Sequence, residues 1–166
     1  AADAGLADAA RLENHRHARP LERRRALRGA AAELRRREPQ LIDALAAIGL
    51  CSAAHIPVLL DDADRVLRPA ILWSDQRSGA EVAELKANHS PQLENIALNE
   101  AGCTWTLPQL LWVWKHEPGV LGHVHRLLSS KDYLVFQLTG QACMDHGSAA
   151  ATLMLDARSK SWSREL

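Results

Sequence analysis

The chain predicts an α/β fold, one short mixed sheet with several helices. Three observations carry this. Between Leu45 and Ser78 three short apolar runs, Leu45–Leu50, Val58–Leu60 and Val66–Trp73, are separated by turn signals such as Asp61-Asp62-Ala63-Asp64, which is how strands of one sheet read. After Ser78 the apolar residues recur at helical spacing between caps and prolines. With 166 residues, 47% of them apolar, the chain has a real core and the size of one domain or one lobe.

Residues 1–38 stand apart. They are almost all Ala, Arg, Leu, Glu, Asp, Gly and His, with Arg23-Arg24-Arg25 and Arg35-Arg36-Arg37 as basic runs. Ala and Arg are helix formers, but Leu6, Leu12, Leu21, Leu27 and Leu34 hold no strict heptad. The segment reads as a polar helix or as disorder. The second segment, 39–166, begins where Pro39 changes the composition.

In that segment Leu41–Ala47 finishes a helix and Ala46–Ser52 forms a first strand, in which Gly49 suggests close backbone approach. Val58–Asp61 and Arg65–Trp73 then form a hairpin across the acidic turn. Ser78 caps a helix to about Asn88, with Glu81 as its capping-box partner. A short helix follows near Gln92–Leu98. Thr106 and Pro108 open the next helix, which stops before Glu117-Pro118. Pro118 starts another through Leu128, on the spacing of Val120, Leu121, Val124, Leu127 and Leu128. Ser129 or Ser130 caps a helix over Lys131–Leu138, closed by Thr139-Gly140. Gln141–Met144 reads as a short strand.

Composition excludes some classes. The formal charge is zero, from +4 over residues 1–40 and −4 over 41–166. That balance makes no general case for nucleic acid or anionic membrane. Cys51, Cys103 and Cys143 are odd in number and lack metal-ligand spacing. No apolar run approaches the ~20 residues of a membrane span, and no apolar signal region opens the chain. A soluble cytoplasmic protein is the expectation.

From Ala47 onward the order of motifs resembles the FGGY carbohydrate kinases, among them the xylulokinases. The resemblance is carried by Ile48-Gly49-Leu50 with His55, by Val58-Leu59-Leu60-Asp61, and most specifically by Val66-Leu67-Arg68-Pro69-Ala70-Ile71-Leu72-Trp73-Ser74-Asp75-Gln76-Arg77-Ser78. It continues in Thr106-Leu107-Pro108-Gln109-Leu110-Leu111-Trp112-Val113, His116-Glu117-Pro118, Lys131-Asp132-Tyr133-Leu134, Leu138-Thr139-Gly140, and Asp145 with Thr152–Asp156. The resemblance implies part of a ribonuclease H-like (actin/hexokinase-type) lobe, whose family phosphorylates a sugar hydroxyl with ATP and Mg²⁺.

It also implies site residues. Where the xylulokinase pattern has Ser-Gly-Gln-Met-His-Gly, this chain has Cys51-Ser52-Ala53-Ala54-His55-Ile56. Ala54, by its backbone, and His55 then face a sugar; on periodicity alone His55 reads instead as a strand-end histidine partnered by backbone. Trp73 offers a ring for stacking and Asp75 an acceptor for hydroxyls. Their structural alternatives are a core Trp and an Asp75 that pairs with Arg77 or caps the next helix. Gln109 stands where the family signature has Lys, and Ser130 where it has Pro. Trp105, Trp112 and Trp114 read as packing.

No catalytic, metal-binding or cofactor-binding residue is assigned. Residues 1–38 contain no Asp-x-Gly-Thr phosphate turn, and the family's catalytic Asp and ATP lobe belong to positions after Leu166. The expectation is therefore a truncated first lobe that binds a pentulose weakly, binds ATP and Mg²⁺ poorly, and does not turn over alone. The alternative is a non-catalytic module pairing with a separate second-lobe chain.

Overall fold

The structure is a computed structural model and describes residues 20–166. Helix α1 spans Pro20–Arg37 and α2 spans Pro39–Asp43. In α1, Glu33 takes Arg36 and Arg37 as i+3 and i+4 partners. Residues 43–49 are exposed, Ile48 at 63%. The predicted first strand, Ala46–Ser52, therefore does not form: it has no ladder partner among the described residues. Gly49 meets no close neighbour either, since a Cβ there would find nothing within 4 Å.

The centre is β1, Pro57–Leu60, antiparallel to β2, Arg126–Ser129, with Val58 opposite Leu128 and Leu59 opposite Leu127. Sequence periodicity places 126–128 in a helix. The structure ends that helix early, as the short α5, Pro118–Leu121. The reason is tertiary. Residues 127 and 128 satisfy either period, and as a strand they supply the ladder partner that buried β1 needs.

Both faces of β1 are covered, because its side chains alternate. Val58 and Leu60 pack with Leu128, Tyr133, Phe136 and Val66. Leu59 packs with Ile71 and Val113, joined by Leu67, Leu110, Trp112 and Leu127. The predicted hairpin forms only at its base. Asp61 N–H donates to Arg65 O and Leu67 N–H to Leu59 O, and Leu60 bridges Val66. The ladder stops at Arg68-Pro69, where proline has no donor to offer. The acidic turn itself is built by Asp61, whose Oδ1 accepts from Ala63 N–H and Arg65 N–H.

Helix α3, Gly79–Gln92, runs through Pro91 into a π turn at Leu93–Ala97. Ser78 holds the N-cap position without a side-chain bond, and its Oγ is buried without a partner. The predicted capping box is absent because Glu81, also buried, reaches Lys115 at 3.5 Å instead. Helix α4, Thr106–His116, starts one residue earlier than a Thr106 cap requires, so Trp105 is its N-cap. A third cluster of Leu85, Leu93, Ala97, Ala101 and Leu153 joins α3 to α4.

Helix α6, Ser130–Thr139, matches its prediction: Ser129 accepts from Asp132 N–H, and Gly140 closes it in the left-handed region. Residues 141–145 carry no ladder, so no strand forms at Gln141–Met144. Asp145 caps the short α7, His146–Ala150. A small hairpin follows, β3 at Leu155–Asp156 with β4 at Ser161–Trp162.

Candidate functional site

The loop from Ser52 to His55 enters β1 and is held from both sides. Ser52 Oγ lies 2.8 Å from Ser130 Oγ, and Ser130 donates to Ala53 O at 3.2 Å. The serine that replaces the family's proline thus anchors the loop to the start of α6, a role its sequence position did not suggest. Ala54 is exposed. His55 takes a left-handed backbone, φ 57°. Its Nδ1 is 3.3 Å from Ala151 O, and its ring meets Trp105 edge-on, centroids 4.7 Å apart.

His55 has the backbone partner of its structural reading. An imidazole has two ring nitrogens, and the Ala151 contact occupies Nδ1. Beside it lies a cavity of about 20 Å³, lined by Ala54, His55, Thr106, Ser129, Met144 and Ser148. That is room for a water molecule, not for a sugar.

Trp73 is 53% exposed. It is not a core residue, and its ring face is available. Asp75 forms the pair with Arg77: Oδ1 accepts Arg77 N–H at 3.0 Å and Nε–H at 2.9 Å, and the Arg77 Nη2 group lies 2.8 Å from Oδ2. The Arg77 hydrogen bond holds the Asp75 carboxyl below its ordinary range. Arg77 in turn lies over Trp112, 4.7 Å from the ring centroid, and Trp112 stacks on His116. Arg68 reaches Glu117 at 2.7 and 3.1 Å, and that guanidinium lowers the Glu117 pKa. The block from Arg68 to Arg77 is thereby pinned to the end of α4. Trp112 is packing, as read from sequence, whereas Trp114 is 57% exposed.

The structure brings Ala54 and His55 to one loop and Trp73 and Asp75 to another. Trp105 was read as packing, yet it is the residue that touches His55. Its i+4 neighbour Gln109 reaches the loop of Trp73. Gln109 stood out in the sequence only as the departure from the signature Lys, and no sequence signal set Trp105 apart from the other tryptophans.

Among the described residues no group of three His, Cys, Asp or Glu side chains could hold a metal ion. The nearby carboxylates are spent on cations: Asp75 on Arg77, Glu117 on Arg68, and Asp145 on Lys131. These residues do not fit a Mg²⁺ site. No described helix is long and apolar enough to cross a membrane.

Known structures match this arrangement. A xyloylose kinase from Brucella ovis superposes with a TM-score of 0.85 at 38% identity, over 90% of this chain and 31% of that one. Plasmodium falciparum glycerol kinase shares the fold at a TM-score of 0.76 and 19% identity, over 90% of this chain and 31% of that one. The fold class is that of the sugar kinases of actin/hexokinase type.

The model of the FGGY family of carbohydrate kinases, N-terminal domain, matches residues 26–166. The Escherichia coli (strain K12) xylulose kinase is 41% identical over 117 residues, 70% of this chain and 24% of that protein. This chain belongs to the FGGY family of carbohydrate kinases. It spans about a quarter of the length of the curated relatives it matches.

Proposed function

We propose that this chain supplies the sugar-facing side of a xylulose-type kinase, in which ATP phosphorylates a pentulose hydroxyl. The observation that carries the reading is the 41% identity to a xylulose kinase over 117 residues, a stretch that includes the Arg68–Trp73 block. In this reading residues 39–166 form the kinase segment, within the 26–166 that the family model matches.

The residues would bind and orient rather than react. Nε2 of His55 exchanges a hydrogen bond with a sugar hydroxyl, donor or acceptor according to its tautomer. Trp73 lies against the apolar face of the sugar. Asp75 keeps ionised acceptor oxygens for hydroxyls, and Arg77 holds it in place. The Ala54 backbone lines the other side. ATP with Mg²⁺ supplies the phosphoryl group and its charge neutralisation in such a reaction. No residue of 39–166 is given those roles.

The test is direct. D-xylulose titrated into purified 1–166 is expected to shift the His55 and Trp73 NMR signals at millimolar concentration, with His55→Ala and Trp73→Ala abolishing the response. ATP-dependent turnover near the roughly 1–100 s⁻¹ of ordinary kinases would overturn the view that these residues bind without catalysing. A sugar response that leaves both signals unmoved would overturn the site.

A further inference from the structure

We infer that Gln109 is a positioning residue for the sugar-facing surface, holding its two loops in register through one side-chain amide. Its consequence for sugar binding rests on the function proposed above. Gln109 is fully buried. Its Nε2 lies 3.2 Å from Cys103 O, 3.3 Å from Thr104 O and 3.5 Å from Leu72 O. Three carbonyl oxygens around one atom fix the orientation of the amide, because only the NH₂ end can donate to them. The other end, Oε1, is buried without a partner among the described residues. The pocket around this side chain offers acceptors and asks only for donors.

The carbonyls belong to the two turns that matter. Leu72 precedes Trp73, and its O also accepts Asp75 N–H at 3.0 Å, closing the turn that presents both. Thr104 precedes Trp105, whose ring meets His55. Among the described backbone hydrogen bonds none joins these turns directly. The Gln109 amide is therefore a polar tie between the Trp73–Asp75 loop and the support of His55, shorter than the Cys103 Sγ contact to Gln76 O at 3.9 Å that also joins them. A side chain of equal size without donors would fill the space but leave Cys103 O and Thr104 O without the Gln109 donor and Leu72 O with Asp75 N–H alone. Lys, with three donors and no acceptor, suits the same surroundings.

The experiment follows the indole N–H signals of Trp73 and Trp105 in ¹⁵N-labelled 1–166, first alone and then with D-xylulose. Wild type is compared with Gln109→Met and Gln109→Lys. Gln109→Met is expected to displace both indole signals before sugar is added and to weaken binding by about tenfold. Gln109→Lys is expected to keep both close to wild type. A purely space-filling role predicts the reverse order, with Met the better substitute, and that result overturns the inference. Wild-type signals and affinity in Gln109→Met overturn it as well. If wild type shows no sugar response, the proposed function fails, while the sugar-free indole signals still decide the tie. Should Gln109→Met not fold, Gln109→Asn keeps an amide too short to span the three carbonyls. The same displacement is expected, and unmoved signals overturn the inference.

Discussion

His55 holds a left-handed backbone with φ 57°, a region where a side chain carries a steric cost. The ring contact with Trp105 and the bond to Ala151 O offset that cost and fix the imidazole at the edge of its loop. Strain held in place by neighbours is a mark of sites that present a group. Gly140 adopts the same region, φ 73°, without a Cβ to clash, and nothing stands within 4 Å of one placed there. Gly140→Ala therefore isolates the backbone cost and is expected to lower stability by about 1 kcal/mol. A urea midpoint equal to wild type would contradict the left-handed cap.

At the scale of elements, local signals were strongest where a cap and a stop agreed. Helix α6 has both: Ser129 accepts Asp132 N–H at 3.2 Å, donates to Asp132 Oδ2 at 2.5 Å, and Gly140 ends the helix. Ser129→Ala removes the cap and should cost about 1 kcal/mol, with Ser129→Thr, which keeps the hydroxyl that both accepts and donates, recovering most of it in thermal unfolding. Failure of Thr to recover the loss would contradict the hydroxyl cap. Elsewhere the local signal was ambiguous. Leu127 and Leu128 fit a helix or a strand, and the open edge of β1 decided for a strand. Glu81 fits a capping box, but Lys115 from another helix captures it. Such contests are settled by groups far apart in sequence, and no window of residues contains them.

For the whole molecule the common electrostatic theme is carboxylates held below their ordinary range. Asp61 is lowered chiefly by Arg65 N–H, Asp75 by the Arg77 guanidinium, Glu117 by Arg68, Asp145 by Lys131 and Asp156 by Ser159 N–H. Each folded-state pKa lies below its unfolded value. Each carboxylate therefore stabilises the fold above the unfolded carboxylate pKa of about 4, and that stability is lost as pH falls. Unfolding free energy should be flat from neutral pH to about 5 and drop below about 4. Asp75→Asn and Glu117→Gln should each flatten the acid limb. Stability that rises on acidification would contradict this picture.

The sequence by itself determined the family, the α/β class, the position of β1, helix α6 with both its ends, and the acidic turn. These follow from apolar runs, caps and turn residues close together in the chain, and from a motif order that resembles this family's. It also pointed to Ala54, His55, Trp73 and Asp75. The tertiary structure decided what surrounds them: Ala151 on His55, Arg77 on Asp75, solvent on Trp73, and the Ser130 anchor under the loop. It decided as well that Ala46–Ser52 stays unpaired and that 126–129 is a strand. A ladder needs a partner and a buried polar atom needs a complement. Both are properties of neighbours in space, which the order of residues along the chain does not display.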